Sequence, residues 1–228
     1  LKQRLLAERG IKTLSLIRDS SPLTINDITL IAITPTAEAL EDMLNDANVK
    51  KEREEKKKRQ KQISSSKTEE IKPEEALQKI QSGQDVLVKD PSITNKSSIG
   101  LVIQYGSFSG LFLGDAHAED VIEGLNILGF NNHQFDVVKI SHHGSKNNTS
   151  VELLNYIDSD KFVFSTNGLI HNHPDNETIA RIVCRKTKFT RNLYFNYNLD
   201  SIECFKNQSF ETKYNYKIIE SNNLPIKI

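Results

Sequence analysis

Three apolar runs in the second half of the chain are each followed by side chains that bind metal ions in proteins. The runs are residues 111–113, which precede Asp115; residues 135–141, which precede His142 and His143; and residues 162–165, which precede a loop with His171 and His173. A ligand at the end of a strand is held by the sheet and still faces an open cleft, as a catalytic metal site requires. Imidazole and carboxylate groups suit zinc, manganese or iron.

Each of these motifs also has a simpler interpretation. Taken alone, Asp115 is more typical of a helix cap at a strand-to-helix turn. His173 alone is typical of an ordinary loop residue. The adjacent pair His142 and His143 ends a buried strand without an obvious packing role, so that motif alone favours neither interpretation. Because all three motifs follow strands in succession, their combination favours a site.

The elements that would position these residues follow from hydrophobic periodicity. Alternating or continuous apolar runs predict strands, and capping residues with amphipathic segments predict helices. The predicted strands are 11–17, 28–34, 98–105, 111–113, 135–141, 162–165, 193–197 and 202–205. The predicted helices are 1–9, 36–47, 118–128, 151–157 and 176–184. This mixture predicts an α/β fold in which helices cover a mixed sheet.

Residues 50–70 are the compositional outlier of the chain. They mix both charges without an apolar face, which is typical of a solvated helix or a disordered insertion; a nucleic-acid patch is the alternative. The interspersed glutamates favour the insertion. The 30 basic and 30 acidic residues of the whole chain also balance, so net charge predicts no nucleic-acid or membrane partner. The predicted divisions are 1–49, an insertion at 50–75, a core at 76–208 and a C-terminal tail at 209–228.

The remaining histidines and the cysteines are assigned no chemistry. His117 is interpreted as a surface helix residue and His133 as a loop residue. Cys184 and Cys204 lack the spacing of a metal or redox motif, and we interpret them as reduced core residues of a cytoplasmic protein. No apolar stretch approaches the roughly 20 residues of a membrane helix.

Residues 95–181 resemble the second half of metallo-β-lactamase-fold proteins of the ComEC-related competence type. The matching residues are Asn95-Lys96-Ser97-Ser98-Ile99, Leu111-Phe112-Leu113-Gly114-Asp115 with Glu119, the run from Asp136 to Ser145, and His173-Pro174. The predicted strand at 28–34 with Pro35 also resembles a segment that precedes the Asn/Ser motif in that family. The Gly-Asp and His-His-Gly-Ser motifs, in this order, are the specific part of the resemblance.

The resemblance implies a fold, a metal centre and residue roles. The fold would be the C-terminal part of an αββα sandwich. Asp115 would bridge two zinc or manganese ions, and either His142 or His143 would be a further metal ligand. His173 would line the site as a proton donor or substrate contact, so that Asp115 and His173 are the catalytic candidates. Ser145 and Lys146 would border the cleft, where Lys146 is either a phosphate contact or, as we favour, a surface lysine.

The first metal motif of that family, His-any-His-any-Asp-His, does not occur in this sequence. No histidine precedes His117, and the order of elements places the motif upstream of Leu1. We therefore expect a truncated chain whose N-terminal half is supplied in cis or in trans; a degenerate member is the alternative.

The resulting expectation is the C-terminal half of a metal-dependent phosphodiesterase or nuclease-like hydrolase, inactive as this chain alone. Its substrate would be a phosphodiester or a nucleotide. The alternatives are a non-catalytic scaffold or interaction module and a hydrolase of esters, lactones or thioesters, because the same ligands serve all of these substrates.

Overall fold

One large mixed sheet organises the protein. The computed structural model describes residues 16–46 and 71–221, and structural statements refer to these. The strands are β1 (Leu23–Ile25), β2 (Ile28–Thr34), β3 (Gly100–Tyr105), β4 (Phe108–Phe112), β5 (His133–Gln134), β6 (Val137–Lys139), β7 (Ile157–Asp158), β8 (Lys161–Phe164), β9 (Arg191–Phe195) and β10 (Tyr216–Glu220). Eight of them form a sheet in the order β1-β2-β3-β4-β6-β8-β9-β10. Strands β1 to β4 pair antiparallel, and β4 to β10 in that order pair parallel.

Helices lie between several of the strands, and the predicted α/β class is confirmed. The helices are α1 (Ala37–Asn45), α2 (Pro73–Gln81), α3 (Ile93–Lys96), α4 (Ala118–Ile127), α5 (Val151–Tyr156), α6 (Asn176–Val183) and α7 (Gln208–Tyr214). Helix α1 begins as predicted, because the Thr36 side chain accepts a hydrogen bond from the Ala39 backbone.

One face of the sheet forms the core. A row of side chains runs across five paired strands and is fully buried: Val102, Leu111, Val138, Phe162 and Leu193. The same apolar cluster includes residues from helices α2, α4, α5 and α6. The helices therefore cover this face, as expected for parallel strands joined by helical connections.

The opposite face of the sheet is apolar but is not packed on that core. On this face Leu101 pairs with Phe112 and Val163 pairs with Tyr194, Lys139 lies between Phe112 and Val163 in the same row, and all five are half-buried. The same face ends in a second row of exposed apolar residues on strands β1 to β4, in which Ile25, Ile28, Tyr105 and Phe108 are 54%, 43%, 57% and 36% exposed. We name this surface the open face.

Helix α4 packs closely on strand β2, which makes a prediction about stability. A Cβ atom at Gly124 would lie 2.2 Å from the Ile33 carbonyl oxygen. We expect Gly124→Ala to destabilise the protein by about 1–3 kcal/mol through overpacking. Chemical denaturation measures this, with Asn126→Ala on the exposed side of the same helix as the control. Equal denaturation midpoints for the two variants would contradict the close contact.

The C-terminal elements correct three predictions. Residues 202–205, predicted as a strand, lie in a 3-10 helix at Asp200–Lys206, because Ile202 and Phe205 are buried at a helical spacing. Residues 209–220, predicted as part of a C-terminal tail, instead contribute to α7 and β10, and the buried Tyr216 hydroxyl donates a hydrogen bond to the Phe205 carbonyl oxygen at 2.6 Å. Cys204 is exposed rather than a core residue, while Cys184 is partly buried.

Some predictions fall outside the described residues. These are the helix at 1–9, most of the strand at 11–17, and residues 50–70 of the insertion predicted at 50–75. The rest of that predicted insertion is described, and its residues 73–75 belong to α2 instead. Within the part of the chain that the structure describes, no helix is long and apolar enough to cross a membrane.

Candidate functional site

The three predicted motifs lie at one edge of the sheet. Strands β4, β6 and β8 are adjacent and parallel, so the segments that follow their carboxyl ends lie side by side. The His142 and His173 rings have centroids 5.6 Å apart. The negative charge of Asp115 acts on His142. The structure thus brings Asp115, His142 and His173 together, as the sequence predicts.

Asp115 lies in a tight turn after β4. Gly114 has φ +54°, and a Cβ atom there would lie 2.7 Å from both the Ile99 carbonyl oxygen and Ser98 Oγ. The Asp115 backbone N–H donates to Ser98 Oγ at 2.9 Å. Helix α4 begins two residues later than a cap at Asp115 would require, with His117 as its N-cap residue. The helix-cap interpretation of Asp115 is therefore wrong.

The Asp115 carboxylate has no committed partner in the described ranges. Its residue is half-buried, and neither a hydrogen bond nor an ion pair of that carboxylate is found among residues 16–46 and 71–221. The backbone of Asp115 is engaged, because its carbonyl oxygen accepts from Asn148 Nδ2 at 3.2 Å. The carboxylate is thus held in place while its oxygens remain available to a ligand.

The two histidines after β6 adopt an unusual backbone. We name Ser141–Gly144 the double-histidine turn; in it His142 and His143 have φ of 44° and 57°, and Gly144 has φ of +93°. A left-handed conformation costs an L-residue roughly 1–2 kcal/mol. Such strain persists only where the surroundings impose it, and it is concentrated at functional sites. One such constraint is the His142 N–H, which donates to the Gly114 carbonyl oxygen at 2.9 Å.

The His142 ring is held through its Nδ1 atom. Nδ1 lies 3.0 Å from Asn148 Oδ1, 3.3 Å from Asn95 Nδ2 and 3.6 Å from Asp90 Oδ2. Burial lowers the pKa of His142, but the nearby Asp90 carboxylate, the hydrogen bond to Asn148 and the charge of Asp115 outweigh it, so the pKa is raised.

Asp90 is the main residue of the site that sequence reasoning missed. Its carboxylate accepts hydrogen bonds from the Ser92 backbone at 2.9 Å, from Asn95 Nδ2 at 2.7 Å and from Asn148 Nδ2 at 2.9 Å. Burial acts to raise the pKa of Asp90, but the nearby His142 ring and these bonds hold that pKa well below its usual range. Its bond to Asn148 joins residues 58 apart in sequence, so no local pattern signals this role.

His117 is also part of this edge, which corrects its prediction as a surface residue. It is 8% exposed, because the N-cap position of α4 faces the site rather than solvent. Its Nε2 lies 3.8 Å from Asp90 Oδ2, and its Nδ1 lies 3.9 Å from Asp120 Oδ2. Within the described ranges, the buried Nε2 atom has no hydrogen-bond partner. His133, predicted in a loop, lies in β5 and contacts Ser109 Oγ at 3.1 Å.

The remaining predicted residues lie around this centre. His143 is exposed, and its Nδ1 contacts the Ser165 carbonyl oxygen. His173 Nδ1 lies 3.5 Å from Asp175 Oδ2, and the exposed His171 lies beside His173 with ring centroids 5.7 Å apart. Lys146 Nζ pairs with Glu177 at 2.8 Å, so the lysine charge is partly neutralised. Ser145 is buried.

The described residues do not form a complete metal site. No group of three or more His, Cys, Asp or Glu side chains in residues 16–46 and 71–221 is arranged to hold a metal ion. Asp115 and either His142 or His143 would provide two donors, whereas zinc sites in proteins use three or four. By itself, this set does not fit zinc or manganese.

Comparison with known proteins gives a partial match. Neither a protein-family model nor a solved structure matches the chain. The chain is 29% identical to ComE operon protein 3 of Bacillus subtilis (strain 168) over 96 residues, which are 42% of this chain and 12% of that protein. The chain thus covers a small part of the relative's length. This similarity supports a relation to the ComEC-related competence proteins.

Proposed function

We propose that this chain is the C-terminal half of a metal-dependent hydrolase domain that acts on a phosphodiester or nucleotide. The observation that carries the proposal is that a carboxylate, Asp115, and an imidazole, His142, lie at the same edge of the sheet. The Asp115 carboxylate makes no hydrogen bond or ion pair within the described residues, and the His142 ring is hydrogen-bonded through Nδ1, which leaves Nε2 available to a ligand. A histidine that binds a metal ion typically donates its other ring N–H to such a fixed acceptor.

The open face supports the claim that a second half is needed. A sheet with one apolar face buried by helices must also cover its other apolar face. In the proposed αββα sandwich a second sheet packs there, and the polypeptide that forms it supplies the missing donors for zinc or manganese, in cis or in trans.

Both cysteines are unpaired in the described residues, which supports a cytoplasmic location.

A non-catalytic interaction module is the second candidate. It is favoured by one observation: the described residues include no three-donor group. An ester, lactone or thioester hydrolase would use the same edge of the sheet, and the phosphodiester class comes from the family resemblance.

The metal content per chain tests the proposal. We expect the 228-residue protein to retain much less than one zinc or manganese ion per chain after dialysis. A longer version that includes upstream sequence should retain about two and lose them in Asp115→Ala. Stoichiometric metal in the 228-residue chain, lost in Asp115→Ala, would show that the site is already complete and that the half-domain proposal is wrong. A longer version without metal would favour the interaction module.

A further inference from the structure

We propose that Asp90 is a positioning residue that, through Asn148, holds His142 in the tautomer with the proton on Nδ1 and a free lone pair on Nε2. The proposal rests on the proposed function only for what Nε2 binds. The tautomer itself is a property of this chain and of the hydrogen bonds described above.

The orientation of the Asn148 amide determines the tautomer. Its Nδ2 group donates to Asp90 Oδ2 at 2.9 Å and to the Asp115 carbonyl oxygen at 3.2 Å. Both amide hydrogens are therefore used, and the opposite atom, Oδ1, faces His142 Nδ1 at 3.0 Å. An amide oxygen only accepts hydrogen bonds, so Nδ1 must carry the proton.

Asn95 does not reverse this assignment. Its Nδ2 also approaches His142 Nδ1, but at 3.3 Å. The shorter bond of that same group, 2.7 Å, goes to Asp90 Oδ2. Asp90 therefore accepts a hydrogen bond from each of the two asparagine amides and leaves the oxygen of Asn148 for the histidine.

Burial makes this arrangement rigid. Asn148 is 0% exposed and Asn95 is 7% exposed, and the Asp90 side chain is 9% exposed. Water therefore has little access to replace a lost partner, and an unpaired buried polar atom costs about 1–3 kcal/mol. At 3.6 Å from His142 Nδ1, Asp90 is too far for a good direct hydrogen bond, so it acts mainly through Asn148.

A carboxylate is required at position 90 because every neighbour donates. Asp90 accepts from the Ser92 backbone, Asn95 and Asn148 and donates to none of them. An asparagine has nearly the same shape, but its NH₂ group would face at least one of these donors. Asp90→Asn removes the negative charge that holds Asn148 Nδ2, and with its NH₂ group in place of Oδ2 it removes the acceptor as well. The Asn148 amide can then turn its NH₂ group toward His142, which would stabilise the tautomer protonated on Nε2.

Nitrogen-15 NMR of the histidine rings tests this inference on the metal-free 228-residue protein. The spectra are recorded above the pKa of His142, where the ring is neutral, and the His142 signals are assigned with His142→Gln. In the parent protein we expect Nδ1 to carry the proton. In Asp90→Asn we expect the ratio of the two tautomers to shift by at least about tenfold toward Nε2 protonation, which corresponds to about 1.4 kcal/mol.

Two further variants complete the test. Asn148→Ala removes the closest acceptor and leaves the Asn95 donor at 3.3 Å nearer to Nδ1 than the Asp90 carboxylate at 3.6 Å, so the same shift is expected even if Asp90→Asn does not fold. Asp175→Asn is the matched control, because its carboxylate lies at the same edge but contacts His173; His142 should keep its tautomer there.

A parent protein with the proton on Nε2, or folded Asp90→Asn and Asn148→Ala variants that keep the parental tautomer, would overturn the inference. The metal content of the longer protein is measured separately. A fixed tautomer without metal binding would leave the positioning role of Asp90 standing while the proposed hydrolase function fails.

Discussion

Asp115→Ala is expected to lower phosphodiester hydrolysis by the proposed longer version at least about a thousandfold, because the variant would lose a ligand of the metal ions that would stabilise charge in the transition state. The described residues offer no replacement carboxylate at this position. Asp90 is close, but its oxygens already accept hydrogen bonds from Ser92, Asn95 and Asn148. The rate of nitrophenol release from bis(4-nitrophenyl) phosphate measures the effect.

This variant should fold normally, which separates chemistry from stability. The hydrogen bonds of residue 115 are made by its backbone, with Ser98 Oγ and Asn148 Nδ2, and alanine keeps both. The melting temperature should therefore stay near the parental value. Asp200→Ala, which removes an exposed carboxylate at the start of a 3-10 helix, should leave the rate unchanged. Parental activity in Asp115→Ala would show that Asp115 has been assigned the wrong role.

The sequence predicts the ends of the central strands well because their signal is local. Residues 111–113 and 135–141 are apolar runs that stop at polar residues, and β4 and β6 do end just before Asp115 and His142. Adjacent parallel strands then bring such ends to the same edge. The helix predicted at 118–128 is likewise found at Ala118–Ile127, because the sequence shows both its apolar spacing and the glycine that follows it, Gly129.

The residues that hold the site through hydrogen bonds, Asp90 and Asn148, are not predictable in the same way. In the sequence, Asp90 is typical of an ordinary turn residue before Pro91, and Asn148 is typical of a residue in a polar loop. Their roles arise from a hydrogen bond between distant segments that come together only in the fold. The prediction of His117 as a surface residue is wrong for a related reason: its burial depends on the loop that carries Asp90, which contacts it from outside its own helix.

The loop that carries Asp90 is itself fastened by a buried ion pair. Arg181 on α6 is 2% exposed, and its Nε and Nη2 donate to the two oxygens of Asp85 at 2.9 Å each. Its Nη1 donates to the Thr149 carbonyl oxygen at 2.8 Å and also to that of Lys146. One guanidinium thus joins the segment after α2 to the segment after the double-histidine turn.

Arg181→Ala is therefore expected to destabilise the protein by about 3–5 kcal/mol, because it leaves a buried carboxylate uncompensated and two carbonyl oxygens without a donor. Arg181→Lys should recover only part of this loss, since one ammonium group does not reproduce the planar fork. Lys79→Ala is the control: its pair with Glu75 is exposed and contributes at most about 1 kcal/mol. Urea denaturation compares the three variants. A loss of unfolding free energy in Arg181→Ala as small as that in Lys79→Ala would mean that packing holds the two segments together. Asp90 would then be positioned beside His142 without the Arg181–Asp85 ion pair.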